Sequence, residues 1–362
     1  MLPQQPLRRG KLSGIPFGVK DIFETRGLAT EYGSPIYKGR IGTVDAAIVR
    51  NLRERGAILL GKTQTTAFSY RTPAPTRNPR DLQHTPGGSS SGSAAAVAAG
   101  MVPFAVGEQT IGSTLRPASY CGVTGFKPTF GLVPTSGMLP FAKSMDTVGF
   151  FADTPNDMLA LWDAMGYSFR SAEDFPLGVC DPLPEVEPSM STAFQDAVLR
   201  LRETGLVLRP VNIAAMLALL AEANQTVLFY EGARFHEERY RQYGDRLGVL
   251  ADLVRIGLRM PIKQHEDAAR YIAECRTHMT EIYRLTPVIL VPAATGPAPL
   301  GLTYTGDWRM NSPWTALGTP AISLPMPVGA SLPLGLQLTA DRGEDARVLK
   351  MAARIQRALD GE

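Results

Sequence analysis

The chain has 362 residues, 44% of them hydrophobic and 20% charged, which supplies one large core or two ordinary ones and excludes a disordered protein. Its 37 basic and 34 acidic residues leave a formal charge of +3, so no broad basic surface awaits a phosphate backbone and no nucleic-acid partner is expected. The four histidines and three cysteines fall at no C-x-x-C, H-x-x-x-H or zinc-finger spacing, which argues against a metal site and a disulfide framework. Against that scarcity, 35 glycines and 29 prolines predict many tight turns and close backbone approaches. The first ten residues lack the apolar core of a signal peptide. The longest apolar stretches, residues 94–106 and 214–221, fall short of the roughly 20 residues that span a bilayer. Reduced thiols, a cytoplasmic location and no membrane partner are expected.

In chain order, residues 44–55 pattern as an amphipathic helix, 57–60 as a buried strand, 93–101 as an Ala-rich helix and 103–106 as a strand. Short apolar strands fenced by Pro or Gly follow at 177–180, 206–209, 288–291, 321–324 and 335–338, while 212–285 reads as almost wholly helical. This alternation predicts an α/β sheet covered by helices. Residues 1–362 read as one domain, with 168–285 a variable, mostly helical insertion or cap within it.

Three motifs carry candidate chemistry. Gly56-Ala-Ile-Leu-Leu-Gly-Lys-Thr63 fits the phosphate-loop pattern by letter, but a helix precedes it and apolar residues fill its variable positions, so a buried strand and turn is the better reading. Gly88-Ser-Ser-Ser-Gly92 matches a nucleophile elbow centred on Ser90, yet no strand precedes it, and its partner would have to come from His236, His265 or His278 in charged helical surroundings. The third candidate is distributed over Gly14-Ile-Pro-Phe-Gly-Val-Lys20, Pro86-Gly-Gly-Ser89 and Gly107-Glu-Gln-Thr-Ile-Gly-Ser113-Thr-Leu-Arg116. With histidine so scarce, a serine nucleophile here would take lysine as its base. Burial against Ile15, Phe17 and Val19 would lower the amine's pKa; the plain alternative is a surface lysine.

These segments, with Cys121-Gly-Val-Thr-Gly-Phe-Lys-Pro-Thr129, Met145-Asp-Thr-Val-Gly149, Trp314-Thr-Ala-Leu-Gly-Thr-Pro-Ala321 and Pro333-Leu-Gly-Leu-Gln-Leu338, resemble the amidase signature family. The resemblance implies a large mixed β-sheet sandwiched between layers of helices. It also implies an amidohydrolase that cleaves a small or medium amide through an acyl-serine, without metal or cofactor. The family's Ser-cisSer-Lys triad falls on Ser113, Ser89 and Lys20, with a cis peptide at Gly88–Ser89, and its oxyanion hole on the backbone of Thr110, Ile111, Gly112 and Ser113. Partners implied are a small-molecule amide and, as an option, a second copy in a homodimer. A glutamine-dependent amidotransferase subunit with partner chains and an inactive relative are the alternatives. This chain departs from the family at Ile111, where a loop glycine is usual and where the side chain is expected to narrow the acyl site. It departs again at Gly149-Phe-Phe-Ala-Asp153, where members often carry an Arg, and before Gly14, where members fold additional helices: either those helices are missing from this sequence, or this is a naturally trimmed form, for which an exposed apolar face is expected. Arg116 is read either as a ligand for a substrate carboxylate or as a clamp on a loop carboxylate. Cys121 reads as a small buried residue.

Overall fold

The computed structural model describes residues 10–167, 175–329 and 332–361; residues 1–9 and 168–174, on which part of the N-terminal and insertion readings fall, lie outside them. In chain order the described elements are β1 (Pro16–Lys20), α1 (Ala47–Glu54), β2 (Ile58–Thr63), α2 (Ser91–Ala98), β3 (Phe104–Gln109), α3 (Leu115–Cys121), β4 (Thr124–Lys127), β5 (Thr147–Ala152) and α4 (Pro155–Ala164). The second half contains β6 (Leu177–Cys180), α5 (Pro188–Glu203), β7 (Leu208–Val211), α6 (Ala214–Tyr243), α7 (Val249–Arg259), α8 (Ile262–Leu285), β8 (Val288–Pro292), α9 (Ser312–Leu317), β9 (Ala321–Pro325), β10 (Gly335–Ala340) and α10 (Asp345–Asp360).

The strands form one mixed sheet in the order β2-β1-β3-β5-β4-β9-β10-β8-β6-β7. Both flanks are parallel, β2-β1-β3 and β8-β6-β7, and the middle is antiparallel. Side chains alternate across it. On β4, Phe126 points to Trp162 of α4, with ring centroids 5.1 Å apart, while Gly125 faces Ala118 of α3. Two helical layers therefore cover the sheet, α2 and α3 on one side, α4 on the other with α10 packed beside it. No helix among the described residues is long and apolar enough to cross a membrane.

Several elements differ in extent from the sequence reading. The strand expected at residues 57–60 continues through Gly61-Lys62-Thr63, because its pairing with β1 absorbs an irregularity at Phe17/Gly18 and carries on. The phosphate-loop letters are thus extended backbone, and Lys62 donates to Phe23 O at 2.6 Å and pairs with Asp21. The strand expected at 206–209 forms two residues later and includes Pro210, which an edge strand tolerates since one side of its backbone needs no partner. Within residues 168–285, β6 and β7 belong to the main sheet, and only α6, α7 and α8 stand as a helical block. Ile15, Ile58 and Leu60 are exposed at the β2 edge.

Candidate active site

Lys20 ends β1, and strand alternation puts it on the side opposite Phe17 and Val19. The apolar wall expected around its amine is therefore not what surrounds it, and Ile15 is exposed. The fully buried Nζ instead donates to Ser89 Oγ at 2.6 Å and to Glu108 Oε2 at 2.8 Å. Behind the ion pair a buried acidic chain continues: Thr110 Oγ1 lies within hydrogen-bond distance of Glu108 Oε1 and, at 2.7 Å, of Asp146 Oδ1, with one hydroxyl proton between them. Asp146 is held in turn by the N–H groups of Phe141 and Ala142. Burial pulls the Lys20 amine below the ordinary lysine range, with the Glu108 carboxylate pulling the other way. Burial and the neighbouring Glu108 push the Asp146 carboxyl up to about 7. Glu108 is the residue the sequence reading passed over; its contact joins positions 88 apart and has no local signal.

Ser89 follows a cis peptide from Gly88 and precedes α2. The elbow serine, Ser90, is fully buried and spends its hydroxyl on Glu108 O, so it is a structural tie. Of its supposed partners, His236 sits among Phe68, Phe141 and Phe235, where burial first and Arg239 second hold its pKa well below 6.5.

Ser113 lies in the turn between β3 and α3. Gln109 shapes that turn. Its Oε1 accepts the N–H groups of Thr114 and Leu115 at 3.0 and 3.1 Å, while its Nε2 donates to Thr315, whose hydroxyl donates to Ile111 O. Ile111 stays out of the left-handed region, so the missing glycine imposes no backbone strain there. None of the N–H groups of Ile111, Gly112 and Ser113 donates to a described residue. Ser113 Oγ likewise makes no hydrogen bond to a described residue, Ser89 included. Ser89, Thr110, Ile111, Gly112, Ser113 and Arg116 all border one cavity of about 540 Å³.

Arg116 corrects one of its two sequence readings, the clamp on a loop carboxylate. It clamps no carboxylate: Nη2 donates to Gly88 O at 2.6 Å and Nε to Thr305 O at 2.8 Å, which ties α3 to the Gly88–Ser89 turn and to the 303–306 loop. Its Nη1 is buried and unpartnered. Cys121 is buried, with its thiol pushed up to about 12 by desolvation, and is inert at neutral pH. Among the described residues no group of three His, Cys, Asp or Glu side chains is placed to hold a metal ion.

The amidase family model matches residues 4–349. A glutamyl-tRNA(Gln) amidotransferase subunit from Thermus thermophilus is 30% identical, over 96% of this chain and 85% of that protein. A crystal structure of an amidase superposes with a TM-score of 0.88 at 28% identity, covering 97% of this chain and 86% of the other. The corresponding glutamyl-tRNA(Gln) amidotransferase subunit from Thermotoga maritima superposes with a TM-score of 0.81 at 29% identity, covering 97% of this chain and 84% of the other. Matched along nearly all its length, in sequence and in the layered mixed sheet, the chain belongs to the amidase family.

Proposed function

We propose that this protein cleaves the C–N bond of a carboxylic amide through an acyl intermediate on Ser113. The observation that carries the reading is the 2.6 Å bond from the buried Lys20 amine to Ser89 Oγ, beside the cavity that Ser113 borders. In this reading Ser113 Oγ attacks the carbonyl carbon as its proton passes to Ser89 and the Ser89 proton to the neutral Lys20 amine. The carbonyl electron pair moves onto oxygen. Backbone N–H groups of the Thr110–Ser113 turn receive that charge, each such donor contributing about 2.7–4 kcal/mol. When the adduct collapses, the C–N bond breaks and the proton returns through Ser89 to the leaving nitrogen. Water, deprotonated along the same chain, then releases the acid and restores Ser113.

The test is a panel of amides offered to the parent, to Ser113→Ala and to Lys20→Ala. Each variant is expected to lose about 10³-fold or more in kcat/KM, and Ser113→Ala to lose labelling by a serine-directed fluorophosphonate. Retained activity in both variants would overturn the assignment.

A second reading shares this chemistry and differs in the fate of the nitrogen: ammonia released from glutamine is passed to a partner chain. The Thermus and Thermotoga relatives are named for a tRNA and as one subunit of an amidotransferase, which favours it, and it would reverse the expectation of no nucleic-acid partner for the assembled complex. Purification from its native host with a stoichiometric second chain would support this reading; isolation alone with full amide turnover would support the simple amidase.

A further inference from the structure

The mouth of the cavity carries an arginine that the proposed cleavage does not use. Arg71 is exposed, and its guanidinium carbon lies 5.3 Å from the Tyr70 ring centroid and 5.2 Å from that of Trp308. Rings at this distance engage the faces of a guanidinium and leave its in-plane N–H groups free for an acceptor. Among the described residues no acceptor takes them. The backbone singles out the same place: Phe68, Ser69 and Arg71 hold φ of 55°, 60° and 43°, left-handed values uncommon for residues with a side chain. Arg71 is thus held in position by an unusual main chain and two aromatic rings.

The cavity's charge is one-sided. Arg71 and Arg116 both border it, and no Asp or Glu does. The carboxylates that act on its rings are already engaged, Asp307 by Arg309 and Asp252 by Arg255. An exposed guanidinium with open donors, at a cavity bordered otherwise by Tyr70, Tyr304, Trp308, apolar side chains and the hydroxyls of serines and threonines, complements an anion.

We propose that the amide taken by this site carries a carboxylate, bound by Arg71 at the mouth while the amide carbonyl lies at Ser113. This rests on the amide-cleaving reading above and adds the class of substrate. The experiment compares monoamides of straight-chain dicarboxylic acids with alkyl amides of equal length, in the parent, Arg71→Gly and Arg71→Lys. Glycine adopts the left-handed conformation freely, so Arg71→Gly removes the guanidinium without straining the segment. The parent is expected to favour the anionic series, and Arg71→Gly to reduce that preference at least about tenfold, through KM, with partial recovery in Arg71→Lys. A parent with no preference, or an Arg71→Gly variant that keeps it, overturns the proposal. Calorimetric binding of the same amides to Ser113→Ala separates the two readings. Anion-selective binding that disappears in the Ser113→Ala, Arg71→Gly double variant upholds the substrate class even if the parent turns nothing over; equal or absent binding of both series refutes it.

Discussion

Glu108 governs how the Lys20 amine behaves as a base. The pair is buried on both sides, so the carboxylate favours the ammonium form while desolvation favours the neutral one. In the proposed reaction only the neutral amine accepts the serine proton, and kcat/KM should rise as Lys20 deprotonates. Glu108→Gln removes the larger influence that raises the lysine pKa and leaves the desolvation that lowers it, opposed only by the more distant Asp146 charge. Its acid limb in a kcat/KM against pH profile should therefore move to lower pH by about 1–3 units. An unmoved limb would assign that limb to another group. The same substitution leaves a buried amine without its counterion, a loss of about 3–5 kcal/mol if the amine stays charged. Burial holds the folded pKa of Lys20 below its ordinary 10.5, and parent and variant share the unfolded value, so the loss caused by the substitution should open only as pH falls through the parent's folded pKa, which denaturant titrations at several pH values would read.

At the level of elements, the position of Ser113 depends on how closely α3 approaches the sheet. A Cβ on Gly125 would lie 2.4 Å from Ala118 Cβ and 3.0 Å from Thr114 O, and one on Gly149 would lie 2.2 Å from Thr114 Oγ1. Both glycines sit in strand interiors, where the residue is ordinarily unfavourable, so the close approach is the reason for their presence. Gly125→Ala should push α3 off the sheet and destabilise the protein by about 1–3 kcal/mol, read as a lower urea midpoint. Since α3 begins two residues after Ser113, kcat should fall with it. The glycine excess was visible in the sequence, but turns alone do not account for it; part of it belongs to this helix–sheet contact, which joins residues with no local pattern in common.

For the molecule as a whole, the sheet separates the reactive side from a layer that supplies stability. Trp162 of α4 is fully buried, stacks on Tyr167 at 4.0 Å and meets Phe126 and Phe150 edge-on. Trp162→Ala should cost about 3–5 kcal/mol through the cavity it leaves. At a temperature where the variant is still folded, kcat should hold, because α4 and the Ser113 turn lie on opposite faces of the sheet. Calorimetric melting beside an amide assay measures both, and a kcat that falls while the fold is intact would show that the two faces are coupled.

Local pattern sufficed for the alternation of helix and strand and for a strand within the phosphate-loop letters, since periodicity and turn chemistry are written in adjacent residues; that strand was expected to be buried, but it lies at the sheet edge with Ile58 and Leu60 exposed. Which side of β1 Lys20 takes, that Glu108 meets it, that Arg116 holds carbonyls instead of a carboxylate, and that Arg71 stands stacked at the cavity mouth were decided only by the tertiary structure. Each of these is a contact between segments distant in sequence. Their geometry follows from sheet order and helix seating, and no spacing of letters along the chain encodes it.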